Sequence, residues 1–372
     1  MDPSKVFCPN MNCPARGKLL EGNISVHSIK ERRYKCSVCQ KTFAETKGSA
    51  FYRLRHSQEL VTQVVTLLSF GCPTQAIVAA FGLDERTVAG WQTRASQHCQ
   101  SLHQKLVSTP RDLGQVQMDE LRVKQQGRVV WMALAMMVST RLWLGGIVSS
   151  SRDSTLITAL VENVRECASA LCAGILFSTD GLKAYISSIR EVFRESVPTG
   201  RAGRPRLQIW KRIFIAQSVK QYEAGRVVGI SRRIIEGSQA EVEAMIERTQ
   251  GAGVINTAFI ERLNATFRQR LSSLVRRGRA IARHSHTLEA GMYLVGTVYN
   301  FCCEHKSLRI AGLIGGHKWL ERTPAMAAGI TDHRWSVKEL LSFHVAPSPW
   351  TPPKRRGRPS LATKLLIARW CQ

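Results

Sequence analysis

The chain has 372 residues, enough for two or more hydrophobic cores, and its 44% hydrophobic content argues for a folded protein rather than a disordered one. A formal net charge of +26, from 53 basic and 27 acidic residues, calls for a polyanionic partner, either nucleic acid or an anionic membrane surface. The opening "MDPSKVFCPN" has no apolar run of the secretory kind, so a cytoplasmic setting is expected, where 11 cysteines serve as metal ligands or free thiols rather than disulfides.

Residues 8–39 carry Cys8-x4-Cys13 and, after a β-hairpin's worth of chain, Cys36-x2-Cys39. Two cysteine pairs on two turns suit tetrahedral Zn²⁺, and the strand-like "RYKCSVCQKTF" around the second pair supports a zinc ribbon. His27 is an alternative ligand, and so small a segment cannot fold on its apolar residues alone. In "TQAIVAAFGLDERTVAGWQTRA" (74–95) a short helix, a turn at Gly82 and a helix capped by Asp84 predict a helix-turn-helix, with a plain helical hairpin as the alternative. Val88, Trp91 and Ala95 fall on the buried side of the second helix. Arg86, Gly90 and Thr93 lie opposite, with Arg94 beside them, as candidates for the DNA major groove.

From about residue 109 the pattern changes to strands followed by helices. "GQVQMDELRV" (114–123) reads as a strand with Asp119 inside it, where propensity disfavours aspartate. "VVWMALAMMVSTRLWLGGIV" (129–148) is long enough to span a bilayer, but "STR" at its middle predicts a buried hairpin, and Arg141 would be costly in lipid. "DSTLITALVENVREC" is helical, with Leu156, Leu160 and Val164 on one side. "AGILFSTDGLKAYISSIREVF" then gives a strand ending at Asp180 and another helix. This order predicts an α/β layer with a mixed sheet, and Asp180 at a strand's carboxyl end sits where open α/β sheets place their sites.

The stretch "NTAFIERLNATFRQRLSSLVRR" (256–277) has one acidic residue, Glu261, followed by Arg262, Arg268, Arg270, Arg276 and Arg277. A solvated helix usually interleaves its charges. On a helix from Ala258 to about Arg276, Ile260, Leu263, Phe267, Leu271 and Leu274 form an apolar stripe, while Glu261 and Arg268 nearly eclipse two turns apart. Carboxylates from Asp119, Asp180 and Glu261 can converge on two divalent metals for phosphoryl transfer, and oxygen ligands favour Mg²⁺ or Mn²⁺. Glu120 is the rival beside Asp119, but strand alternation points it to the other face. Near the end, "APSPWTPPKRRGRPS" places Arg356, Gly357 and Arg358 in an extended basic segment. It reads either as an AT-hook for the minor groove or as a basic tail that touches phosphates.

The order "QMDE", "STDG", "FIERLNATFRQRL" resembles the Asp-Asp-Glu catalytic domain of insertion-sequence transposases, most closely of the IS-one kind. "RTPAMAAGITDHRW" (322–335) is similar to a tail phrase of such proteins. The resemblance covers most of the chain. It implies an α/β fold of RNase H-like type, a mixed sheet with flanking helices, preceded by a zinc ribbon and a helix-turn-helix domain. The expected division is 1–50 ribbon, 51–108 helix-turn-helix, 109–310 catalytic domain and 311–372 tail. The long gap between Asp180 and Glu261 departs from the tightest versions of the motif and implies an insertion at about 200–255.

By this resemblance Asp119, Asp180 and Glu261 hold Mg²⁺ or Mn²⁺. Arg268 matches the basic residue two turns after the glutamate, and Arg270 and Arg276 join it on the DNA backbone. The implied activity is that of a DNA transposase, which cleaves phosphodiester bonds at element ends and joins 3′-hydroxyls to target DNA. A prokaryotic, nucleoid-associated homodimer or larger assembly on double-stranded DNA, away from the membrane, is expected. An inactive transposase-derived DNA-binding regulator and a nuclease without strand transfer remain as alternatives.

Overall fold

Residues around the cysteines form a three-stranded antiparallel sheet, β1 (Ile24–Ser28), β2 (Arg33–Cys36) and β3 (Thr42–Ala44). Alternation along β2 buries Tyr34 and Cys36. Tyr34 packs with Val6 and Phe43 in one small cluster, while Cys36 packs with Cys8, Cys13, Ala15 and Trp370 in another. Trp370 ends a helix, Leu361–Trp370, so these core residues come from both ends of the sequence. The computed structural model describes residues 1–171, 173–197, 205–275, 281–312, 318–352 and 357–371. Met1–Thr62 and Lys338–Gln372 make one compact unit, and Gln63–Val337 make the other. Helix α1 (Gln58–Ser69) runs across that division.

In the larger unit, α2 (Thr74–Phe81) stops at Gly82, whose φ of +62° is the left-handed conformation that glycine adopts freely. Asp84 then caps α3 (Glu85–Leu106), accepting from the backbone N–H of Arg86 at 2.8 Å. As expected, Val88, Trp91 and Ala95 are buried, while Arg86, Gly90 and Thr93 are exposed. The helix runs well beyond residue 95 because its second half carries its own apolar face: Cys99, Leu102 and His103 are buried.

The central sheet has six strands, which lie across it in the order Arg226–Glu236, Ile213–Glu223, Ile175–Thr179, Gly114–Gln125, Arg128–Met137 and Leu142–Ser149. Its first three strands are β4 (Gly114–Gln125), β5 (Arg128–Met137) and β6 (Leu142–Ser149), an antiparallel meander containing the expected hairpin. The near-continuous apolar run of β5 is buried on both faces, as an interior strand requires. Among the described residues no helix is long and apolar enough to cross a membrane.

Helix α4 (Ser154–Cys167) buries Leu156, Leu160 and Val164, and is followed by β7 (Ile175–Thr179) and α5 (Lys183–Val192). Strand β7 pairs in parallel with β4, so the sheet is mixed. A small ladder of β8 (Arg194–Val197) and β9 (Arg206–Ile209) comes next. The stretch expected as an insertion then supplies β10 (Ile213–Glu223), parallel to β7, and β11 (Arg226–Glu236), antiparallel to β10. Helix α6 (Gln239–Gln250) closes this side, packing Val242, Met245 and Ile246 on Leu176, Phe214 and Ala216. These residues therefore belong to the sheet and its cover, and the architecture is α/β with a six-stranded mixed sheet and flanking helices.

Helices α7 (Ala258–Arg270) and α8 (Ser285–Cys302) complete the unit. Strand β6 is an edge strand, and α8 covers it. The Asn300 side chain takes the place of a missing neighbour strand: it accepts from Trp143 N at 2.9 Å and donates to Trp143 O at 2.9 Å. Gly296 lets the helix approach, because a Cβ there would lie 2.3 Å from the buried Trp143 ring. Gly296→Ala should destabilise the protein by about 1–3 kcal/mol through overpacking. Asn300→Leu should cost a similar amount by orphaning two buried backbone groups, about 1–3 kcal/mol. Urea denaturation with unchanged slope and a lower midpoint checks both, and wild-type midpoints would refute this account of the edge.

Candidate active site

The site is created where two parallel strands separate. Strands β4 and β7 stay in register from Gly114↔Ile175 to Gln117↔Ser178, and β7 ends at Thr179. Asp119 and Glu120 on β4 therefore have β5 on one side and no strand on the other. Asp180 lies at the mouth of this gap, where its carboxylate accepts from Leu182 N at 3.0 Å and its carbonyl from Gln217 Nε2 at 2.8 Å. Carboxylate oxygens of Asp119, Glu120 and Asp180 lie within 4.8 Å of one another.

Glu120 is absent from the cleft lining, as strand alternation predicts, yet its carboxylate stays close to the other two. It does differ from Asp119 in its partners: Asp119 accepts from Asn264 Nδ2 of α7 at 2.7 Å, whereas Glu120 accepts from Arg152 at 3.0 Å and is buried beside Tyr185. With no neighbouring strand to separate the two faces at this level, both carboxylates still reach Asp180. Arg152 also donates to Asp180, at 3.3 Å, and stacks on Trp131 with its guanidinium 5.1 Å from the ring centre.

Glu261 comes from the first turn of α7. Thr257 gives that helix no side-chain cap; instead Gln117, on β4, accepts from Ile260 N at 2.9 Å and donates to Asn256 O at 2.8 Å. The strand of Asp119 is thereby fastened to the helix of Glu261. One Glu261 oxygen accepts from Lys220 of β10 at 2.8 Å and from Thr257 Oγ1 at 2.7 Å. Asp119, Asp180, Glu261, Arg268, Asn264 and Lys220 all line one cleft of about 670 Å³.

The helix is shorter than its apolar stripe predicts. It ends at Arg270, Leu271 is extended, and a 3-10 turn follows at Ser272–Leu274. Two serines offer the backbone alternative hydrogen bonds there, and leaving the helix lets Leu271 lie against Gly291 of α8 while Leu274 is buried. Arg268 faces the cleft as expected. Arg270 does not: its guanidinium sits 4.4 Å from the Phe70 ring centre and bonds the Cys303 sulfur. Arg276 and Arg356 fall outside the described residues; Arg358 is exposed.

Three acids so close oppose one another's ionisation. Burial, then the charges of Glu120, Asp180 and Glu261, pushes Asp119 up to about 7. Burial also raises Glu120. Oδ1 of Asn264 is buried without a hydrogen-bond partner, and Glu120 shares its buried setting with the Tyr185 hydroxyl. Crowded, buried carboxylates are what a bound cation would satisfy, so this group could hold a metal ion.

The four cysteines form a second candidate centre. The Cys8 and Cys39 sulfurs are 3.6 Å apart and those of Cys13 and Cys36 3.9 Å, too long for a disulfide. Tetrahedral thiolate zinc, with bonds of about 2.3 Å, spaces sulfurs about 3.8 Å apart. Burial pushes Cys13 up to about 12, whereas hydrogen bonds to Asn10, Lys41 and the neighbouring thiols bring Cys39 down to about 7 against its burial. A shared cation would favour all four thiolates.

Sequence reasoning passed over Arg152, Lys220 and Asn264, which surround the carboxylates. The adjacent Asp-Glu pair inside a strand was a signal for Glu120, but nothing local marks Lys220, which reaches the site only through β10. Compared with known proteins, the chain matches no protein-family model and no curated protein.

The raised Asp119 pKa has a sign that can be tested. Between the ordinary carboxyl value of 3.8 and about 7, folded Asp119 keeps a proton that the unfolded chain has lost. Its contribution to stability therefore falls as pH rises through that window. Without added divalent metal, Asp119→Asn should gain melting temperature relative to wild type from pH 4.5 to 7.5. Calorimetry giving a constant difference across that range would contradict the crowded-carboxylate reading.

Proposed function

We propose that this protein is a DNA transposase of Asp-Asp-Glu type, with an RNase H-like catalytic domain. The observation that carries the reading is the meeting of Asp119, Asp180 and Glu261 in one cleft where the parallel pairing of β4 with β7 stops, as the resemblance implies. The sheet supports it too: an antiparallel meander, then two parallel strands added on the side of the first, suits an RNase H-like topology. So does the +26 charge, which suits a polyanionic substrate.

Asp119, Asp180 and Glu261 would hold Mg²⁺ or Mn²⁺, with Glu120 as a further oxygen donor. Such ions, when bound, activate an attacking oxygen and stabilise the leaving one. Asn264 orients Asp119, Arg152 orients Asp180, and Gln117 fixes the start of the helix that carries Glu261. Arg268 would grip the DNA backbone beside the reacting phosphate. Arg86, Thr93 and Arg94 on α3 would contact duplex DNA, and Arg358 with its basic neighbours would add a minor-groove or phosphate contact. Cys8, Cys13, Cys36 and Cys39 would hold a structural Zn²⁺. Joining two element ends would require at least a dimer.

One observation favours a second reading, a DNA-binding regulator that no longer cuts. Glu261 is already engaged by Lys220 and Thr257, and its oxygens are not among the closely grouped ones. Incubation of the protein with candidate element ends and Mn²⁺ separates the readings through nicked and joined products. Asp119→Ala, Asp180→Ala and Glu261→Ala should each abolish cutting and leave DNA affinity within about twofold, since each removes a ligand and none of the cationic surface. Metal-independent cutting, or cutting that survives Asp119→Ala, would overturn the transposase assignment. Elemental analysis should find one zinc per chain in wild type and none in Cys36→Ser; a zinc-free wild type would refute the ribbon.

A further inference from the structure

The wall of the cleft opposite the aspartates is built by β10, and apart from the ion pair of Lys220 with Glu261, which metal binding by Glu261 would release, its chemistry is unexplained by metal binding. Ser218, Lys220 and Tyr222 recur at every second residue, so they share one face of the strand, and all three line the cleft. Moving away from the carboxylates, that face presents a hydroxyl, then an ammonium, then an aromatic ring. Tyr222 is 62% exposed, although aromatic rings are usually well covered. Across the ladder Lys220 lies opposite Ile230 and Tyr222 opposite Val227, themselves 44% and 50% exposed. A bulge between Gln221 and Tyr222 marks where this pairing shifts. The strands here extend past β7, whose last partner on β10 is Gln217. The ribbon therefore projects past β7 with Lys220 and Tyr222 lining the cleft and the exposed Ile230 and Val227 paired beside them.

An exposed apolar ribbon needs an occupant, and its charge indicates which kind. Lys220, Arg226, Arg232 and Arg233 oppose Glu223 alone between residues 218 and 233. A ring and two aliphatic side chains set beside an ammonium match a nucleotide, with its flat apolar base and its phosphate. A paired base inside a duplex offers no free face, so the base must be unpaired.

We propose that the Lys220–Tyr222 face of β10 is a platform for an unpaired nucleotide of the DNA strand in the cleft. Tyr222 stacks on the base and Lys220 contacts the adjoining phosphate. This rests on the reading of the cleft as a DNA-processing site, and it adds that the strand end is held open beside the carboxylates.

The test uses the full-length protein with Ca²⁺ and three mixed-sequence probes of equal duplex length. One is blunt, one carries a four-nucleotide single-stranded tail containing 2-aminopurine, and one carries a tail of abasic nucleotides. Wild type should bind the base-containing tail at least about fivefold more tightly than the abasic tail, and should change the 2-aminopurine fluorescence. Tyr222→Ala should lose both effects while keeping wild-type affinity for the blunt duplex, and Tyr222→Phe should restore them. Lys220→Ala should weaken both tailed probes equally and make their salt dependence shallower. Normal affinity for blunt duplex with no preference for the base-containing tail would overturn the platform and leave the transposase reading standing. Failure to bind any of the three probes would overturn both.

Discussion

The interaction on which the site depends is the parallel pairing of β4 with β7, and above all the place where it stops. Four residue pairs hold the two strands together, and the ladder ends two residues before the aspartate on each side. Had it continued, Asp119 and Glu120 would have been separated by a sheet surface, and two adjacent acids would have required burial on both faces. Ending it there gathers three acids at one opening. Their mutual repulsion is then met by groups from three other elements or loops: Asn264 from α7, Arg152 from the loop before α4, and the N–H of Leu182 before α5.

Position in that opening is controlled from behind. Phe267 of α7 packs against Trp143 of β6, with ring centres 5.9 Å apart, and Trp143 is in turn enclosed by His103 of α3 and Tyr293 of α8. Burial lowers the His103 pKa to about 4, so this aromatic cluster holds a neutral imidazole at physiological pH. A rigid, uncharged cluster behind the helix and a glutamine cap at its start fix α7 at two points. The carboxylate of Glu261 is thus carried by a braced element rather than by a mobile loop.

Much of this was legible from side-chain periodicity. The buried hairpin at 129–148, the stripe Leu156–Leu160–Val164 and the cap at Asp84 all depend on local pattern, and each has its expected place. The cysteine spacing likewise brought the four thiols together. What escaped depends on partners distant in sequence. The end of α7 at Arg270 reflects packing of Leu271 on Gly291, and the withdrawal of Arg270 reflects a ring at Phe70. The strands β10 and β11 were hidden in a basic, mixed stretch, because the exposed ribbon half of each lacks the apolar alternation of a half-buried strand. Strand alternation keeps Glu120 off the cleft face, and only the β4–β7 register shows why its carboxylate stays near Asp180.

The pairing of Trp370 with the cysteine cluster has a consequence for the order in which the molecule is made. A chain emerging from the ribosome exposes its N-terminal thiols and β1–β3 long before the residues that complete their core. The whole α/β unit is synthesised in the interval and can fold first. The cysteine unit therefore reaches its final form only after Trp370 has been made, and a chain that stops short of that helix would carry a formed sheet beside an unfinished cysteine unit.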